Sequence, residues 1–137
     1  MDTMKDDLAE LPIFSDVSRA EAGTIRGLLT QLPVRAGRVL VHEGARGDEF
    51  MIIAAGELVV SRGDRTIAVL GRGDVVGEMA LLAEDGPGRR NATVTARTDA
   101  VVYVGTPVEF RQILHVAPSV ARKVRATAAT RALGRAA

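Results

Sequence analysis

Between residues 37 and 77 a glycine falls every few positions, at 37, 44, 47, 56, 63, 71, 73 and 77, and the stretches between them are rich in Val, Ile, Leu and Ala. That spacing leaves no room for a long helix. It suits strands of about five residues joined by tight corners, because glycine reaches the backbone conformations that hairpin turns require. The runs 39–42, 50–54, 58–61 and 66–70 fit this reading, and 92–96 and 100–104 continue it. Arg62-Gly63-Asp64-Arg65 is the clearest hairpin turn. Many short strands at regular intervals predict an antiparallel β-roll, a small sandwich or jelly roll closed enough to limit its exposed edges.

Helical signals flank the roll. Ser18-Arg19-Ala20-Glu21 has the spacing of a capping box, and Ile25, Leu28, Leu29 and Leu32 recur at helical intervals until Pro33. A helix reaching Leu32 is therefore expected. Downstream, Thr106 stands as the N-cap of a helix with Pro107 in its first turn and Phe110, Ile113 and Leu114 as its apolar stripe. Pro118 breaks that run after Ala117 and opens a second helix, Ser119 to about Leu133. The expected class is α+β: one domain over 1–137, with an N-terminal helical segment at 1–32, the β-roll at 33–105 and two C-terminal helices at 106–137.

At 137 residues the chain can bury one core and is too short for two ordinary domains. Its 47% hydrophobic and 26% charged residues are those of a soluble globular protein. The net charge of +1 points to no partner, but its distribution is uneven. Residues 107–137 hold Arg111, Arg122, Lys123, Arg125, Arg131 and Arg135 against Glu109 alone, a local +5 that leaves −4 for the remainder. This basic end reads as a solvated helix rather than a nucleic-acid surface, because Ala121, Val124, Ala128 and Leu133 give it a thin apolar stripe. No helix-turn-helix follows residue 118, so a complete DNA-binding regulator is not expected of this chain.

With no cysteine, disulfides and thiolate metal sites are excluded. No apolar run approaches the roughly 18 residues of a spanning helix, and residues 1–10 lack the apolar centre of a signal peptide. A cytoplasmic setting without membrane insertion is the expectation. His42 and His115 lie too far apart in sequence to suggest the ligand cluster of a metal-dependent jelly roll, and Ser, His and Asp show no nucleophile-elbow arrangement. Neither catalysis nor a metal or other cofactor is expected. Phe14, Phe50, Tyr103 and Phe110 occupy positions that suit core packing better than base stacking.

The chemistry is concentrated in residues 77–94, GEMALLAEDGPGRRNATV. Gly77 permits an irregular backbone and close approach of a ligand, and 79–82 can form a helical turn whose free amides make an anion site. Arg90 adds a planar donor fork suited to phosphate oxygens. A carboxylate at Glu78 would repel a phosphate, and its sensible task is to accept from a sugar hydroxyl. One anion site, one arginine and one hydroxyl-reading carboxylate describe a ligand with a single negative charge and a ribose. A cyclic nucleotide monophosphate fits. A nucleoside triphosphate does not, since there is no GxxxxGK[ST] and no Mg²⁺ ligand set.

The order Gly-Glu-Met-Ala-Leu-Leu, a loop, then Arg-x-Ala-Thr resembles the phosphate-binding cassette of the cyclic-nucleotide-binding domain family, which includes bacterial catabolite activators, kinase regulatory subunits and cyclic-nucleotide-gated channels. Leu11-Pro12-Ile13-Phe14, Ala36-Gly37-Arg38-Val39-Leu40, Glu43-Gly44 through Gly47-Asp48, Gly56-Glu57-Leu58 and Leu70-Gly71-Arg72-Gly73-Asp74 are similar to the family's pattern in the same order. The likeness covers about residues 11–133.

The resemblance implies that Glu78 takes the ribose 2′-hydroxyl and Arg90 the cyclic phosphate. The backbone amides of Met79, Ala80 and Ala92 would meet the other phosphate oxygens, and Met79, Val69 and Val76 would line the apolar side of the pocket. The first C-terminal helix would be a hinge and the last a lid over the base, similar to the lid of prokaryotic gated channels. Arg131 is the candidate cap on the purine, with Arg135 second. Two departures stand out. Seven residues, Ala83 to Arg89, separate Leu82 from Arg90, where many members have about four, and the usual Pro-Arg is replaced by Gly88-Arg89-Arg90. Register favours Arg90, which stands two before Ala92, but Arg89 competes. Asn91 occupies a position where a Ser or Thr hydroxyl can help select guanine, which leaves the choice between cAMP and cGMP open; cAMP is taken as the default ligand. The expected function is a regulatory sensor, with an effector domain or a second copy of the chain as partner. The rival is a degenerate β-roll that binds no nucleotide and serves self-association.

Overall fold

The computed structural model of the chain describes residues 8, 10–47, 49–77 and 90–126. A 3₁₀ turn at Pro12–Phe14 leads into helix α1 (Arg19–Leu28). Eight strands follow among the described residues: β1 (Thr30–Val34), β2 (Val39–Val41), β3 (Phe50–Ala55), β4 (Leu58–Arg62), β5 (Arg65–Leu70), β6 (Val75–Val76), β7 (Thr93–Ala96) and β8 (Ala100–Gly105). Helix α2 (Pro107–Val116) comes next, and the chain is helical again over 118–126.

The strands form two antiparallel four-stranded sheets, in the orders β1-β8-β3-β6 and β2-β7-β4-β5. This is the expected α+β roll with helices at both chain ends. Its corners are the expected ones: Gly56 (φ +87°) turns β3 into β4, and Gly63 (φ +60°) turns β4 into β5. At Gly56 a side chain would also run into the Asp99 carbonyl oxygen, so both conformation and space require glycine there.

Both helix starts are capping boxes. The Ser18 hydroxyl accepts from Glu21 N while Glu21 Oε1 accepts from Ser18 N at 2.9 Å, and Thr106 and Glu109 repeat the arrangement. Each N-cap contributes about 1 kcal/mol and fixes where its helix begins.

The sheet β1-β8-β3-β6 is covered on both faces, so β3 is buried at four successive residues, Phe50 to Ile53. Alternation sends Phe50, Ile52, Val75 and Tyr103 towards the helices, where they pack with Phe14, Ile25, Phe110, Ile113, Val120 and Val124. The neighbouring residues Met51, Ile53, Val76 and Val102 point into the roll, where they meet Val41, Leu58, Val94 and Ala96 of the other sheet.

Three expectations are corrected. The first helix ends at Leu28 rather than Leu32: Leu29 is extended (φ −110°, ψ 151°), and Thr30–Val34 is a strand whose Leu32 lies opposite Val102. Leu32 satisfies both a helical and an alternating pattern, and Pro33 is tolerated because β1 is an edge strand. Val75–Val76, pairing with Ile52 and Met51, is a strand too short for alternation to announce. Strand β7 starts at Thr93, so Ala92 precedes it. The second C-terminal helix begins near Pro118 as expected, and its continuation towards Leu133 lies outside the described residues.

Candidate ligand-binding site

Arg90 is held at both ends. Its backbone N–H donates to Ala45 O and its carbonyl accepts from Gly44 N, both at 2.8 Å, so it lies antiparallel to the loop after β2. Its guanidinium Nη2 donates to Glu49 O at 2.6 Å. Between these anchors the side chain lies flat on two glycines. A Cβ at Gly47 would collide with Arg90 Nε, and one at Gly77 would stand 2.7 Å from both Arg90 Nη1 and Glu49 O. Gly77 also has φ +89°, so it needs glycine for its backbone as well as for space.

The guanidinium is thus fixed beside the start of the 77–94 stretch, a long way along the chain from Arg90 and close in space. Of the residues expected to hold the ligand, Arg90 and Gly77 are neighbours. Glu78, Met79, Ala80, Arg89, Arg131 and Arg135 lie outside the described residues.

Among the other candidates, Ala92 is buried and Asn91 exposed, and the Asn91 carbonyl accepts from Arg62 Nε at 3.0 Å. Val76 is buried inside the roll, opposite Met51. Val69 is a correction. It pairs with Val59 and is 46% exposed, whereas the adjoining pair Leu58↔Leu70 carries the contact with the roll interior. Successive residues on a strand face opposite ways, so Val69 shares the outward face and Leu70 the inward one.

Sequence reasoning missed three contributors. Gly47 looked like one more turn glycine, yet it is the surface on which Arg90 rests. Glu49 acts through its backbone carbonyl, so its side-chain identity carried no signal. Arg62 was read only as part of a turn. His42 and His115 are both exposed, the latter in the last turn of α2, where a cation is favoured by the helix dipole. A hollow of about 430 Å³ between α1 and α2, lined by Thr24, Leu28, Val108, Arg111, Gln112, His115 and Val116, shares no residue with the Arg90 arrangement.

The chain belongs to the cyclic-nucleotide-binding domain family, whose pattern, described as "Cyclic nucleotide-binding domain", matches residues 31–116. A cAMP-dependent protein kinase regulatory subunit of Yarrowia lipolytica is 40% identical over 109 residues, covering 78% of this chain and 28% of the relative. A cyclic nucleotide-gated potassium channel of Rhizobium etli is 32% identical over 124 residues, covering 90% of this chain and 34% of the channel. Among solved structures, the catabolite activator protein of Thermus thermophilus superposes with a TM-score of 0.78 at 25% identity, over 90% of this chain and 59% of that one. The chain therefore spans about a third or less of those two curated relatives. The family is one of regulatory ligand-binding domains rather than of catalysts. Among the described residues no helix is long and apolar enough to cross a membrane.

Proposed function

We propose that this domain is a cAMP sensor: it binds cAMP in preference to cGMP and reports occupancy through its C-terminal helices. The observation that carries this reading is the seat of Arg90. A guanidinium fixed on Gly47, Gly77 and Glu49 O is a rigid, pre-oriented donor, and little rotamer freedom remains to be lost when a phosphate arrives. In this reading Glu78 accepts from the ribose 2′-hydroxyl. The amides of Met79, Ala80 and Ala92 share the phosphate oxygens with Arg90, Val76 contributes to the apolar wall, and Arg131 or Arg135 covers the base. Asn91, without a hydroxyl to offer guanine, goes with cAMP.

Transmission follows from packing. Glu49, the anchor of Arg90, is followed directly by Phe50, whose ring lies 4.7 Å from that of Phe110 on α2. A ligand that prefers one arrangement of the 77–94 stretch biases the helices packed on the same strand, which is a shift between pre-existing states rather than a push. The whole of 1–137 is read as a single domain. In a longer protein, as in the kinase subunit and the channel, such a shift would act on an effector, or on a second copy of the chain.

A proton–nitrogen NMR titration with cAMP and with cGMP tests the reading. Saturable shifts confined to 77–94 and the C-terminal helices, at lower concentration with cAMP, are expected. No saturable change with either ligand would overturn it and leave the self-association role. Arg90→Ala should weaken binding by about 2–5 kcal/mol, because a buried phosphate charge loses its partner. If Arg89→Ala does this instead, the phosphate contact belongs one residue earlier.

A further inference from the structure

We infer that Arg62 is a positioning residue for the phosphate end of the ligand, an inference that rests on the reading of 77–94 as a cyclic-nucleotide site. Along β4, Leu58 and Val60 face the roll interior and lie opposite Ala96 and Val94 of β7. Ser61 lies opposite Thr93, so the next residue, Arg62, exposed at the end of β4, comes level with Ala92. There its Nε donates to the carbonyl oxygen of Asn91 at 3.0 Å.

That carbonyl belongs to the peptide group whose N–H is the amide of Ala92. A trans peptide is planar, with its C=O and N–H pointing in opposite directions, so fixing one end fixes the direction of the other. Arg62 thereby sets the aim of a proposed phosphate donor without touching the ligand. A cationic donor on the carbonyl also polarises the peptide and makes its N–H the stronger donor. Arg62 is itself steadied. The adjoining Gly63 N–H donates to Glu43 Oε1 at 2.9 Å, and the Glu43 N–H donates to Thr93 Oγ1 at 3.0 Å, which ties the hairpin tip to the same strand. Arg62 therefore holds the peptide between Asn91 and Ala92, while the Arg90 guanidinium is held by the Glu49 carbonyl oxygen.

The test is calorimetric titration of cAMP into the wild-type chain and into Arg62→Ala, Arg62→Lys and Arg90→Ala, with thermal unfolding of each. Arg62→Ala should bind about tenfold more weakly, the scale of one charge-assisted hydrogen bond, and Arg62→Lys should recover most of the loss. In the ligand-free protein, the Ala92 amide resonance should move in Arg62→Ala and return towards wild type in Arg62→Lys, with unfolding temperatures unchanged. If Arg62→Ala binds within about twofold of wild type while Arg90→Ala loses binding, the positioning role is wrong and the site reading stands. A loss that vanishes at high salt would make Arg62 a remote charge instead, and would also overturn it. Failure of the wild-type chain to bind cAMP would remove the site reading itself.

Discussion

The two faces of the sheet β1-β8-β3-β6 are built from different residues. Towards the helices stand Phe14, Phe50, Tyr103 and Phe110, which are all the aromatic residues of the chain, together with Leu8, Leu11, Ile25 and Ile113. Towards the roll interior there is no aromatic residue among those described, only Val, Ala, Leu, Ile and Met. The rings bury large areas and interlock α2 with β3, so that face is a tight structural seam. The interior face is filled by smaller aliphatic side chains, so the greater share of the buried area per residue lies on the helical face. The difference assigns stability chiefly to the helical face.

The sharpest way to break that assignment is to compare truncations on the two faces. Ile113→Ala on the helical face should cost about 4–5 kcal/mol, whereas Ile53→Ala, the same deletion at a fully buried site inside the roll, should cost about 2–3 kcal/mol. Urea unfolding at constant m-value measures both, and near-equal costs would show that the faces are not specialised.

Gly47→Ala separates recognition from stability. The three nearest atoms that a new methyl would meet all belong to the Arg90 side chain, so the fold can absorb it by moving that side chain. Affinity for cAMP should fall by about 1–3 kcal/mol, with unfolding little changed. Should Gly47→Ala leave affinity intact, the rigid seat of Arg90 is not what recognises phosphate.

The smallest effect is expected at the outer margin of the helical seam. Lys123 Nζ donates to Pro12 O at 3.1 Å and to Ser15 Oγ, and lies 3.3 Å from an Asp16 carboxylate oxygen. These contacts tie the 118–126 helix to the N-terminal turn, but they are partly solvated. Lys123→Ala should therefore cost less than about 1 kcal/mol by the same unfolding assay. A much larger loss would mean that the seam depends on polar anchoring as well as on its rings.

Local features were legible in the sequence because local forces decide them. The capping box at Ser18, the N-cap at Thr106, the hairpin corner at Gly63 and six of the strands each rest on a few adjacent residues. Strand β1 was misread because Leu28, Leu29 and Leu32 fit two periodicities, and the choice between them depends on β8, whose residues lie far along the chain. Of the site, the sequence announced the residue types and their order at 77–94. It could not announce Gly47, whose role depends on an arginine more than forty positions away, or Glu49, which acts through backbone shared by every residue type.

By itself, then, the sequence determined a glycine-cornered roll flanked by helices, and its family. Turn geometry, capping and motif order are properties of short stretches, and no partner is needed to read them. Tertiary structure alone decided which face of each strand meets the helices, that Val69 turns outward while Leu70 turns in, and that Arg90 is laid across Gly47 and Gly77. Those facts arise where segments remote in sequence come within contact distance, and packing is settled only there.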